Sequence, residues 1–544
     1  MNQIKRNAVT SITRLLPVLV AALAVLLSTT AYAAAPGITG PTFNLTAQGA
    51  YITQPDGQAV YSWGYGCNGA PSGYAPATLT VSTFCNTMQI PGPTLIVTEG
   101  QTVTVNLKNG LPPAAGNTSI LFPGFQLTSA CPSGQRGLLT CEALPNGTVT
   151  YTFVATTPGT RAYYSGTQGD LQIEMGLYGA IIVLPAAANV PAACSAGLPT
   201  THPHNNLTAQ AFWGENDFRL ANSAYDNAAT CYDREYLFQF SEMDPSIHAQ
   251  AEAQVIAGAQ SLNVATEPYH PAYFMINGRS MPDDMDPNYA QQYPHQPYNG
   301  NPHMHPGEQV LLRIIGQGRW QHPFHEHGNH VRILARDGNL ILTSDGKALA
   351  GPPLFTTTTT PGVAMDGIFY YTGRGLNWDM YAHNPGSTKD PNATLPCTPD
   401  ANGYNTGAPT AINYFEWCQD HNKPLEVAPF GDVASGGPAT LPDPNILTNG
   451  AWYGGSPYLG PNATLRSTGC MHTGDPQSNA GNCGATGVTP PSGTIANPPS
   501  SEAGFAFMWH SHNEREITTN NIFPGGMMMM MLVDSREFLI DESN

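Results

Sequence analysis

The sequence predicts an all-β chain of two sandwich-like units, and three observations carry that prediction. Among 544 residues there are 56 Gly and 49 Pro but only 11% charged residues, well under the roughly 25% of ordinary soluble chains, which argues against long charged helices and coiled coils. Aromatic residues make up 9%, with 24 Tyr and 19 Phe, too many for a chain that cannot bury a core. Apolar runs of strand length alternate with period two and are separated by turn residues.

Met1 to Ala33 reads as a secretory signal. Lys5, Arg6 and Arg14 precede or open an apolar stretch from Leu15 to Leu27, and Ala31-Tyr32-Ala33 supplies a small-residue cleavage pattern. Its removal takes the formal charge from −18 to −21. Such an acidic chain is a poor partner for nucleic acid, because phosphate recognition needs clustered Lys and Arg. No later stretch approaches the ~20 apolar residues of a spanning helix. The expected destination is the periplasm, the cell surface or the medium.

The first unit is expected over residues 38–187. Pro93–Thr98 and Gln101–Leu107 are strands split by a turn at Glu99-Gly100, Thr148–Val154 is a third, and Gly179–Leu184 reads as a buried strand closing the unit. Residues 188–206 form a linker. A second unit spans 207–544, with strands at Tyr236–Phe240, Gln309–Ile315, Gly367–Tyr371 and Phe505–His510. Within it, residues 372–501 are rich in Gly, Pro and Asn, hold four Cys and show weak periodicity; they read as an insertion pinned by disulfides. All ten Cys follow the signal, and an even number in an exported chain favours disulfides. Cys131/Cys141 and Cys470/Cys483 would close short loops, although spacing alone does not fix the pairing.

Histidine carries the chemistry. Gln321-His322-Pro323-Phe324-His325-Glu326-His327-Gly328-Asn329-His330 and Trp509-His510-Ser511-His512 are two dense clusters at strand ends. Residues i and i+2 of a strand share a face, so each cluster presents a pair of imidazoles, the most common metal-ligating side chain. His325, His327, His510 and His512 are the primary candidates, with His322 beside them. Glu326 and Glu514 are either extra ligands, partners that orient the imidazoles, or solvated strand-end charges. His202/His204 and His303/His305 have similar spacing within Pro- and Asn-rich loops and read as ordinary loop residues. Met527 to Met531 offers five thioethers. Alternation would point Met527, Met529 and Met531 one way, which fits core packing better than copper handling.

HPFHEHGNHVRILARDG and WHSHNEREITTNNIFPGGMMMMMLV resemble the copper-binding motifs of multicopper oxidases. IPGPTLIVTEGQTVTVNLKN, GTRAYYSGTQGDLQIEMGLYGAIIVLP, DREYLFQFSEMD and AYFMINGRSMPDD extend the resemblance over most of the chain outside the insertion. It implies two cupredoxin-like Greek-key β-sandwich domains. It also implies where ligands are missing. Ser511 stands at the type 1 copper's Cys position and Glu516 at one of its His positions, leaving His322 as the remaining ligand. Leu121, Pro123, Tyr164 and Gly166 replace the four first-domain histidines of the three-copper cluster. What remains would hold one or two ions through His325, His327, His510 and His512. Copper is the first choice, and zinc stays open because three or four imidazoles also suit it. The implied activity is oxidation of a small phenol or a metal ion by dioxygen without a blue copper. The competing reading is a non-enzymatic copper binder or cell-surface scaffold. A third keeps the fold with no metal, the histidines serving as satisfied polar groups. Oligomeric state is left open.

Overall fold

The computed structural model describes residues 35–79, 84–85, 87–195, 220–374, 398–407, 414–417, 419, 455–459, 495–496, 504–534 and 540. The signal, the Cys470/Cys483 pair, Cys397, Cys418, His202, His204 and most of residues 372–501 lie outside them. The described residues fall in one compact unit, Ala34–Asn544.

Two five-stranded sheets form the first sandwich. One orders its strands Gly73–Ala75, Gly37–Thr39, Leu95–Thr98, Tyr178–Leu184, Gly159–Tyr164; the other Met88–Gln89, Ala59–Cys67, Thr42–Thr53, Thr102–Asn109, Thr148–Val154. Thr102–Asn109 shows why it folds this way: Val103, Val105 and Leu107 are buried and the residues between them are not, the period of a sheet with one face on a core. The Glu99-Gly100 turn is present, with Gly100 at φ +83°. It does not make a hairpin. Leu95–Thr98 and Thr102–Asn109 belong to opposite sheets, so the turn carries the chain across the core.

An eight-stranded and a seven-stranded sheet form the second sandwich. Cys231–Met243 and Val310–Gly316 are neighbours in the first of these and are buried at every position. Tyr236, Phe238 and Phe240 face the sandwich core, whereas Leu237 packs with Ile182 and Leu184 of the first sandwich. A strand covered on both faces loses the alternation that would mark one face as wet. Buried polar contacts pin the same interface. Arg313 lies 2.7 Å from Glu235 and donates to Thr160 Oγ1 at 3.0 Å, and Thr160 donates to Asp366 at 2.6 Å.

Three disulfides are formed among the described residues: Cys67–Cys85, Cys131–Cys141 and Cys194–Cys231. The last ties the segment expected as a linker to the first long strand of the second sandwich. An α-helix at Pro245–Ile256 was not foreseen. Asp244 caps it by accepting from Ser246 N–H at 2.9 Å, with Pro245 in the first turn. The Asp-Pro pair was the available start signal.

Candidate metal centre

Four strands of the seven-stranded sheet build the centre, in the order Met528–Asp534, Gly504–Ser511, His322–Glu326, Thr356–Thr359. Register places Thr356 opposite His325, His325 opposite His510, and His510 opposite Met528. These four residues form one rung across one face of the sheet. His327 and His512 extend that face by strand parity and chain continuity.

The imidazoles meet. Ring centroids lie 4.7 Å apart for His325–His327, 5.0 Å for His325–His512, 5.1 Å for His327–His510, 5.6 Å for His325–His510 and 5.7 Å for His510–His512. His325 and His510 are buried, His327 is half-buried and His512 exposed, so the cluster opens to solvent on one side. Burial, reinforced by the His327 ring, lowers the His325 pKa to about 4, and burial lowers that of His510. Both rings are therefore neutral near pH 7, the form that can bind a metal.

Hydrogen bonds fix how the rings present their nitrogens. Nδ1–H of His510 donates to its neighbour's carbonyl, Ser511 O, at 2.7 Å, which leaves the lone pair on Nε2. That atom lies 3.2 Å from His327 Nε2. Nδ1 of His325 contacts Thr356 Oγ1 at 3.0 Å. The indole of Trp509 donates to the carbonyl of His327 at 2.9 Å and holds the end of the neighbouring strand. Among the described residues no three His, Cys, Asp or Glu side chains stand as a closed set of metal donors; His325 packs edge to face on His327, His510 and His512, as His327 does on His510, with His327 and His510 already nitrogen to nitrogen.

His322 is not part of this cluster. It sits two and four residues before Phe324 and Glu326, and these three are buried towards the interior with Ser511 and Trp509. Strand parity turns His325 and His327 the other way. His322 Nε2 lies 2.9 Å from Glu242 Oε2, and Nδ1 lies 2.9 Å from Glu516 Oε2, the second a close ion pair without hydrogen-bond alignment. Ser511 Oγ donates to the same Glu516 oxygen. Burial alone would lower the His322 pKa, but the contacts with Glu242 and Glu516 outweigh it and raise the value to about 9. A cation flanked by two carboxylates thus fills this place, and a protonated imidazole cannot ligate a metal.

Glu326 is neither a ligand nor a solvated charge. It is fully buried on the interior side, accepts from Thr357 Oγ1 at 2.6 Å, and burial raises its pKa to about 8. Glu514 is exposed. His303 and His305 are buried rather than in an open loop. His303 Nδ1 pairs with Asp534 Oδ2 at 2.5 Å, and His305 Nδ1 contacts Asp534 O at 3.2 Å. Glu242 and Thr356 were missed; a Glu inside an apolar strand and a Thr in a run of five give no sign of the histidines they meet.

In the first sandwich, Leu121 and Tyr164 are paired across a bridge, and a side chain added at Gly166 would strike Leu121 at 2.8 Å. This corner is filled by aliphatic and aromatic atoms and offers no imidazole.

Residues 74–188 match the family model described as multicopper oxidase. Over that stretch the chain is similar to multicopper oxidases. Residues of this chain are 38% identical over 96 positions to an L-ascorbate oxidase of Brassica rapa subsp. pekinensis, covering 18% of the chain and 16% of that protein. They are 33% identical over 126 positions to Laccase-1 of Botryotinia fuckeliana, covering 23% and 21%. The chain thus matches about a fifth of the length of these relatives. Among solved structures, the blue copper oxidase of Nitrosomonas europaea aligns over 90% of this chain and 85% of its own, at 14% identity and a TM-score of 0.42. Among the described residues, no helix is long and apolar enough to cross a membrane.

Proposed function

We propose that the chain is an exported copper protein whose metal is held by His325, His327, His510 and His512, and that it works as an oxidoreductase without a blue copper. The observation that carries this reading is the approach of His327 Nε2 and His510 Nε2 to 3.2 Å. Two imidazole nitrogens bound to one ion at ~2.0–2.1 Å in tetrahedral geometry stand roughly 3.3–3.4 Å apart, so the pair is already spaced for a shared ion. Neutral rings and the His510–Ser511 bond fit the same role, since a second-nitrogen contact to a carbonyl is how metal-binding histidines are usually oriented. Bound copper would supply one-electron redox chemistry. The chain's own residues orient the donors, keep His325 and His510 unprotonated and leave the His512 side open for a small phenol or metal ion and for dioxygen.

Ser511 and Glu516 support the absence of a blue copper. The serine hydroxyl is committed to Glu516, and a hydroxyl does not make the copper–thiolate bond such a centre requires. Domain limits of 38–187 and 207–544 are proposed with this reading.

The test combines metal analysis of the purified chain with absorption, electron spin resonance and oxygen uptake on a phenolic donor. Expected are one or two copper ions, no intense blue band, and uptake that falls with His327→Ala and His510→Ala. Copper lost from both variants, with oxygen uptake no different from wild type, would leave a binder, not an enzyme. Loss of neither copper nor uptake would overturn the site.

A further inference from the structure

The five-methionine run divides between two faces, and one half of it lies beside the imidazoles. Met527, Met529 and Met531 are fully buried in the core with Phe505, Phe507 and Trp509. Met528 and Met530 point the opposite way. Register sets Met528 directly across from His510, and Met530 across from Met508. Residues opposite one another on antiparallel strands have Cβ atoms ~4.5–5.5 Å apart. Met528 is 4% exposed, while Met508 and Met530 are half-buried. One edge of the imidazole patch is therefore bordered by three thioethers, the nearest on the same rung as His325 and His510.

Resting on the reading of the four histidines as copper ligands, we propose that Met528 supplies a thioether donor at this centre and makes it selective for Cu(I) over zinc. Thioether sulfur is a soft donor that suits Cu(I), whereas imidazole alone serves copper and zinc alike. Methionine's unbranched side chain lets the sulfur swing towards a neighbour without moving the strand. Burial removes competing water from Met528. Met508 and Met530 continue the soft border away from the histidines, along the same face. Neither carboxylate buried nearby competes for this role: Glu326 and Glu516 lie on the interior side of the sheet.

The experiment is anaerobic competition of the full chain with bicinchoninate for Cu(I), alongside zinc titration, for wild type, Met528→Leu, Met529→Leu and His510→Ala. Leucine matches methionine in bulk and keeps the packing. Met528→Leu is expected to weaken Cu(I) binding about tenfold or more while zinc binding stays within about twofold. Met529→Leu, on the core side, changes neither. Unchanged Cu(I) affinity in Met528→Leu, with loss in His510→Ala, overturns the thioether proposal and leaves the histidine site standing. Unchanged binding in His510→Ala overturns the histidine site itself. Silver(I) titration of wild-type chain labelled at the methionine methyls gives a second readout. The Met528 signal should shift while those of Met529 and Met531 stay fixed; no movement at Met528 refutes the proposal.

Discussion

Replacing His322 with Gln tests the buried cation between Glu242 and Glu516. The imidazole is raised from 6.5 to about 9 and its side chain is fully buried. At about 1.36 kcal/mol per pKa unit, a shift of that size corresponds to roughly 3 kcal/mol of stability, as an order of magnitude. The folded-state value lies above the unfolded one. The contribution is therefore complete below about pH 6.5 and is lost as pH rises through about 9. Urea unfolding of wild type and His322→Gln at half-unit steps from pH 6 to 9.5 reads it directly. The difference in stability between the two should be largest at the acid end and shrink by roughly 3 kcal/mol by the alkaline end. Taking the difference removes the alkaline loss due to other buried acids common to both chains. A gap that stays constant across this range would refute the charged-imidazole account, because a neutral hydrogen-bonded ring has no such slope.

Glu174 should show a related effect. Burial raises its pKa to about 8, so its stabilising protonated form is lost as pH rises from its unfolded value through about 8. Glu174→Gln should flatten the fall in thermal stability between about pH 4.5 and about 8, followed by circular dichroism. Ser511→Cys alone should bind copper without gaining a blue band, since Glu516 occupies the second imidazole's place and His322 is protonated between two carboxylates; visible absorption after copper loading checks it. Trp509→Phe removes the donor to His327 O and should cost about 1–2 kcal/mol in denaturant unfolding, with weaker copper retention on dialysis. Replacing Cys131 and Cys141 together by Ser opens a loop with a sequence separation of 10. Chain entropy then sets the loss at about 2–3 kcal/mol, measurable by urea midpoint.

By itself the sequence determined the all-β class, the positions of most long strands and the two histidine pairs. Each is a local property: Thr102–Asn109 alternates because one face is wet, and His325/His327 or His510/His512 share a face because the strand period is two. Met527, Met529 and Met531 were legible as core residues for the same reason. Pairing was not legible. Only the fold set His325 against His510 and His510 against Met528, since register joins strands that lie far apart in the chain. Only the fold turned His322 inward to Glu242, eighty residues earlier, and sent the Glu99-Gly100 turn between sheets instead of into a hairpin. Local sequence fixes which way a side chain points relative to its own strand; what it points at depends on distant segments whose contacts are decided when the core closes.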